Sequence, residues 1–190
     1  MKHNEIVNKI LSGDILSEYN HANVITRKNN RDFLQFDCSG FIAWYIGING
    51  YLRALAEIRN HLKNTDFLKI NRFYCQDFER FYTQPESLHY WNIHKDILDI
   101  NSDDILIIVY DDGNGHMMIV DKIISHCNNS IELRIADSTR LLHKNDTRTQ
   151  SGIGYGDIKI TIDDNGVQYD PQNPQRTPTY VNVYIARPIK

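Results

Sequence analysis

The sequence predicts an α+β fold in which N-terminal helices, one of them carrying a cysteine, pack on a C-terminal antiparallel sheet. Apolar residues recur with a helical period in the first half, most clearly from Cys38 onward. After Asp103-Asp104 the pattern changes to short β-rich segments punctuated by Gly, Asn and Asp. The length of 190 residues suits one domain, with a helical part over about 1–100 and a sheet part over about 101–190. A globule of this size buries about 70% of its unfolded surface, so it needs no disulfide or metal to hold it together.

Residues 3–12 read as a helix stopped by Ser12-Gly13-Asp14. The polar stretch from Ser17 to Asp32, with Arg27-Lys28-Asn29-Asn30-Arg31 inside it, is expected to be a loop. Asp37-Cys38-Ser39-Gly40 then opens a helix. Cys38, Phe41, Ile42 and Tyr45 lie at i, i+3, i+4 and i+7, and Gly47 or Gly50 ends the run. A second helical pattern extends from Tyr51 to about Leu62, with Leu52, Leu55 and Ile58 on one side. Phe67 to Trp91 holds eight of the twenty aromatics and reads as a short helix plus loops on the core; the functional alternative is a cleft wall. Cys75, inside that run and without a charged neighbour, reads as an inert core cysteine.

Ile105 to Tyr110 is a nearly continuous apolar strand, followed by the turn Asp111-Asp112-Gly113-Asn114-Gly115 and a strand from His116 to Ile124. Ile131 to Ala136 is the next strand and ends at Asp137-Ser138-Thr139. A loop rich in Thr, Gly and Asp is expected up to Gly156, forming a flap over the cleft. Ile158 to Ile162 and Val167 to Tyr169 make a hairpin around Asp163-Asp164-Asn165-Gly166. Pro171, Pro174 and Pro178 stiffen the approach to a last strand, Tyr180 to Ala186.

The net charge of −3, with no block of Lys or Arg, argues against nucleic acid as a partner. No apolar run approaches 18 residues, so no membrane span is expected. The cysteines Cys38, Cys75 and Cys127 are widely spaced and odd in number, which favours a reducing compartment. The apolar positions of residues 1–16 are interrupted by polar ones, unlike a secretory signal. The expected location is the cytoplasm, or outside the cell after export without a cleavable signal peptide. His89 and His94 are five apart and no cysteine pair has ligand spacing, so neither metal nor cofactor is expected.

Cys38 would sit in a first helical turn, where unpaired N–H groups and the helix dipole favour a thiolate. Asp37 is the plausible N-cap. Of the eight histidines, His116 is the best candidate base, because it opens a strand directly after a glycine turn. Asp137 ends the next strand; if the two pair as an antiparallel hairpin, it lies beside His116 and can orient the imidazole.

Asp37-Cys38-Ser39-Gly40-Phe41-Ile42, Asp104-Ile105-Leu106-Ile107 and Gly115-His116-Met117-Met118-Ile119-Val120 together resemble the NlpC-type branch of the papain-like cysteine peptidases. The likeness spans about residues 36–140. It implies a papain-like fold with Cys38 as nucleophile, His116 as general base and then acid, and Asp137 as the orienting residue. The oxyanion hole would use the Cys38 N–H and a donor from the preceding loop. Tyr19 stands where the family has a Tyr-x-Trp-Gly-Gly-like approach, here without the Trp-Gly-Gly, and Ser39 would help shape the site. His143 competes with Asp137 for the third position. The implied activity is hydrolysis of an amide or peptide bond through an acyl-thioenzyme, with peptidoglycan stem peptides as the family-typical substrate. An acyltransferase, deamidase or transglutaminase-like activity on a protein uses the same thioester, and an inactive binding module is the alternative outside enzymes.

Overall fold

Helices and strands interleave at the N-terminal end. The computed structural model describes residues 1–62, 74–83 and 89–189, and within them the chain is a mixed α+β protein. α1 (His3–Leu11) precedes β1 (Ile15–Tyr19), β2 (Val24–Lys28) and β3 (Arg31–Phe36). Then come α2 (Cys38–Ile48), α3 (Leu52–Leu62), α4 (Cys75–Tyr82) and β4 (Trp91–His94). The rest is a 3-10 turn at Ile97–Asp99, followed by β5 (Ile105–Val109), β6 (Gly115–Cys127), β7 (Ser130–Thr139), β8 (Gly152–Asp163), β9 (Gly166–Asp170), β10 (Thr179–Tyr180) and β11 (Asn182–Pro188).

The expected loop from Ser17 to Asp32 is wrong for most of its length. β1, β2 and β3 form a small sheet in which β1 runs parallel to β3 and β2 antiparallel to it. The β2–β3 turn is Asn29-Asn30, with φ of 53° and 60°, the left-handed geometry that closes a two-residue hairpin and that Asn tolerates. Every residue of β2 is exposed, so the strand shows no apolar alternation. The aromatic run holds a short helix, α4, as expected, and β4 begins at its last residue, Trp91; Phe67 and Phe73 of that run fall outside the described residues. One more expectation needs correcting. The expected flap over Gly152–Gly156 is instead the first part of β8, paired with the end of β7.

The main sheet has the order β10-β9-β8-β7-β6-β5-β11-β4, antiparallel throughout. Its strands alternate between two cores. Ile105, Ile107, Met117 and Ile119 join the helices, with Phe41, Ile42, Ile46 and Phe78, in one cluster. Leu106, Ile108, Met118, Val120, Leu133 and Ile158 form the other. The last strand is tied to the sheet interior by Arg187, whose guanidinium donates to both oxygens of the buried Asp104 at 2.6 and 2.8 Å.

This topology positions the site. Ile119 of β6 pairs with Ala136 of β7, so the start of β6 lies beside the end of β7. Ser138 Oγ donates to the carbonyl of Phe36 at 2.7 Å, which holds the start of α2 against the end of β7. Ser17 Oγ accepts from Ile153 N at 3.1 Å and joins the small sheet to β8.

Candidate active site

α2 starts where its first turn can be capped. Asp37, in extended backbone, accepts from Gly40 N at 2.8 Å and from Ser39 Oγ at 3.1 Å through one oxygen. Its other oxygen lies 3.0 Å from His21 Nδ1. Asn23 Oδ1 accepts from Asp37 N at 3.0 Å, and any Cβ on Gly40 would overlap the Asn23 amide. Gly40 is therefore required by the approach of the β1–β2 connection, and the cap presents Cys38 at the first helical position.

His116 and Asp137 come together as the hairpin expectation placed them, and Cys38 lines the same lobe as His116. His116 Nε2 is 2.5 Å from Asp137 Oδ2, leaving Nδ1 for the thiol. The Cys38 thiol is held well below its ordinary range by a hydrogen bond from Cys75 and, against its own burial, by one from His116. Burial alone would lower His116; its bonds to Asp137 and to the Cys38 thiolate instead push it up to about 10. At neutral pH the pair is thus thiolate and imidazolium.

Cys75 is a buried core cysteine, as expected, but it is not isolated: it meets Cys38. Its thiol, at the start of α4, is pushed well above the usual range by its hydrogen bond to Cys38 and by burial. It therefore stays an S–H donor. Gly115 makes this possible: a Cβ there would fall 2.7 Å from Cys75 Cβ and 3.2 Å from its sulfur. No spacing rule links Cys75 to Cys38, because contact between α4 and the β5–β6 turn brings them together.

His143 does not displace Asp137; it stands behind it. Its Nε2 is 3.0 Å from the same Asp137 Oδ2, and its Nδ1 is 2.9 Å from the carbonyl of Pro171. His143 thus bridges the Asp137 carboxylate and the Pro171 carbonyl. Arg148 completes the set. Its Nη1 donates to Asp137 Oδ1 at 2.6 Å and to the Asp137 carbonyl at 3.1 Å, while Nε and Nη2 hold Asp146 at 2.7 and 2.6 Å. Burial would raise the Asp137 carboxyl, but Arg148 and His143 hold it well below the carboxylate range. Sequence reasoning missed Arg148, His21, Asn23 and Cys75. The signal for Arg148 and His143 was the alternation Gly152, Gly154, Gly156. A Cβ on Gly154 would strike the Arg148 stem, and one on Gly156 would lie 2.5 Å from His143 Cβ.

Tyr19 ends β1 and, with Cys38 and Gly115, lines both lobes of the cleft, one of about 380 Å³ and one of about 170 Å³. Burial, with the nearby Cys38 thiolate, pushes its hydroxyl up to about 12, so it remains a donor. His116, Asp137 and His143 are also a possible metal set, with ligand atoms within 4.8 Å of one another. Both histidines, however, aim at one oxygen of Asp137, and Arg148 already places a cation on the other. Among the described residues no helix is long and apolar enough to cross a membrane.

No family model, curated protein or solved structure matches the chain. The chemistry of the site therefore has to be read from its own geometry.

Proposed function

We propose that this chain is a papain-like cysteine hydrolase of amide bonds, with Cys38 as nucleophile, His116 as acid–base residue and Asp137 as orienting residue. The observation that carries this reading is the unbroken hydrogen-bond chain from a helix-start thiolate through His116 to a buried carboxylate. A structural cysteine needs no such partner, and a surface histidine needs no buried anion.

In the proposed reaction the Cys38 thiolate adds to the amide carbonyl carbon. The oxyanion is met by the Cys38 N–H at the first position of α2, with the Tyr19 hydroxyl, which lines both lobes beside Cys38, as the side-chain donor. Collapse breaks the C–N bond, and the His116 imidazolium gives its Nδ1 proton to the departing amine. Neutral His116 then takes a proton from water as that water attacks the thioester. The carboxylic acid leaves, and thiolate and imidazolium are restored. Asp137 stabilises the imidazolium in each half-reaction while keeping its own charge, because Arg148 and His143 hold it.

Peptidoglycan stem peptides are the first substrate to test. Muropeptides incubated with the protein and analysed by mass spectrometry should gain one water across an amide bond. Cys38→Ala and His116→Ala should each lower the rate by at least about a thousandfold. Equal cleavage by Cys38→Ala would sink the assignment of the nucleophile.

A further inference from the structure

The two lobes of the cleft differ in charge. The lobe of about 380 Å³ is bordered by Asp37, His21, Gln76 and Asn114. The lobe of about 170 Å³, on the β9 side of Cys38, has Tyr110, Tyr169, Arg140 and Arg176 in its wall, and no Asp or Glu among the described residues that line it. Asp137 lies just behind, but its side chain is fully buried and its oxygens are taken by His116, His143 and Arg148.

Arg27, Arg134, Arg148 and Arg187 face carboxylates, whereas the exposed Arg31 donates to the Gly13 carbonyl and the exposed Arg53 lies over the Tyr90 ring. Arg140 and Arg176 differ in their place, the wall of the lobe beside Cys38 and His116. Arg140 lies over the Tyr19 ring at 5.0 Å, Arg176 bonds the Tyr110 hydroxyl, and neither forms an ion pair among the described residues. Both guanidinium groups stand in one lobe beside Cys38, and no Asp or Glu among the described lining residues offsets them. Their planar forks suit an oxyanion, above all the carboxylate of a peptide-like substrate.

We propose that Arg140 and Arg176 form an anion-binding subsite that selects substrates carrying a carboxylate close to the scissile amide, on the β9 side of Cys38. This rests on the cysteine-hydrolase reading, since the subsite is defined by its position beside a reactive thiolate. The subsite would steer an anionic substrate toward Cys38 and fix which side of the amide faces the sulfur. A neutral amide of the same shape would gain neither effect.

The test needs no natural substrate. Iodoacetate and iodoacetamide share a leaving group and a reacting carbon and differ in charge; with each, the thiolate displaces iodide and forms a C–S bond. Rates at Cys38 are read by peptide mass spectrometry, which separates it from the exposed Cys127. The ratio of the iodoacetate rate to the iodoacetamide rate should fall about tenfold in Arg140→Ala/Arg176→Ala. It should hold in Arg53→Ala/Arg59→Ala, which removes the same charge from α3. In the unsubstituted protein, succinate but not succinamide should slow labelling by iodoacetamide. An unchanged ratio in the first variant, or no protection by succinate, would overturn the subsite while leaving the hydrolase standing. If Cys38 is labelled no faster than Cys127 by either reagent, the hydrolase reading fails and the subsite falls with it.

Discussion

At the first turn of α2 the Cys38 sulfur receives hydrogen bonds from Cys75 and His116, and the bond from Cys75 is the larger influence. A thiol donor is weak in water. Here both sulfurs are buried, and a bond to a charged acceptor is strengthened by the low local dielectric. The reactivity of Cys38 should therefore depend on a residue that performs no proton transfer. Labelling of Cys38 by iodoacetamide should be nearly independent of pH from about 6.5 to about 8.5, where an ordinary thiol becomes steadily more reactive. In Cys75→Ala the rate should climb across that range, and Cys75→Ser, whose hydroxyl still donates, should restore much of the flat profile. A Cys75→Ala profile that superimposes on the parent's would remove Cys75 from the site.

Among the elements, β8 decides whether the polar set behind His116 can assemble. Gly154 and Gly156 stand opposite Asp137 and Ile135 in the β7–β8 ladder, and their missing side chains are the space that Arg148 and His143 occupy. Glycine normally weakens a strand, so its place here is explained by close approach and not by turn formation. Gly156→Ala would put a methyl group against the first carbon of the His143 side chain, which cannot swing aside. Urea unfolding should show a loss of about 1–3 kcal/mol, typical of overpacking. Gly47→Ala, inside α2 with Leu55 Cδ1 at an ordinary 3.4 Å, should be neutral or add up to about 1 kcal/mol. Equal effects of the two substitutions would show that β8 does not need the space.

Across the whole molecule, the thiolate–imidazolium pair shapes how stability responds to pH. His116 is raised from 6.5 to about 10 on folding, so its contribution is complete below about pH 6.5 and is lost as pH rises toward 10. Cys38 is lowered well below 9.0, so its contribution grows with pH up to about 9 and is lost as pH falls toward its folded value. Between about 6.5 and 9 the two slopes cancel: the folded pair shares one proton as imidazolium, and the unfolded pair keeps one as thiol. The urea midpoint should be flat over that interval and fall on either side. In Cys38→Ala only the His116 contribution remains, supported by Asp137, and the midpoint should decline from about pH 6.5 upward. A plateau that survives in Cys38→Ala would contradict the shared proton.

At this scale, too, the division between local and tertiary information becomes plain. The order of Cys38, His116 and Asp137, the helix that presents the thiol and the hairpin that pairs the other two were legible because each rests on local rules: a capped first turn, a glycine turn, and strands of period two. The sheet at Ser17–Asp32 was not legible, since β2 is exposed throughout and has no alternation to read. Cys75, Arg148 and the unpaired Arg140 and Arg176 were not legible either. Their roles depend on contacts between distant segments, α4 against the β5–β6 turn and residues 140–148 against β8 and the β9–β10 connection. The sequence by itself determined which side chains could react. Tertiary packing decided their charge states, because burial and the nearest charged or donating neighbour set a pKa, and neither is a property of sequence spacing.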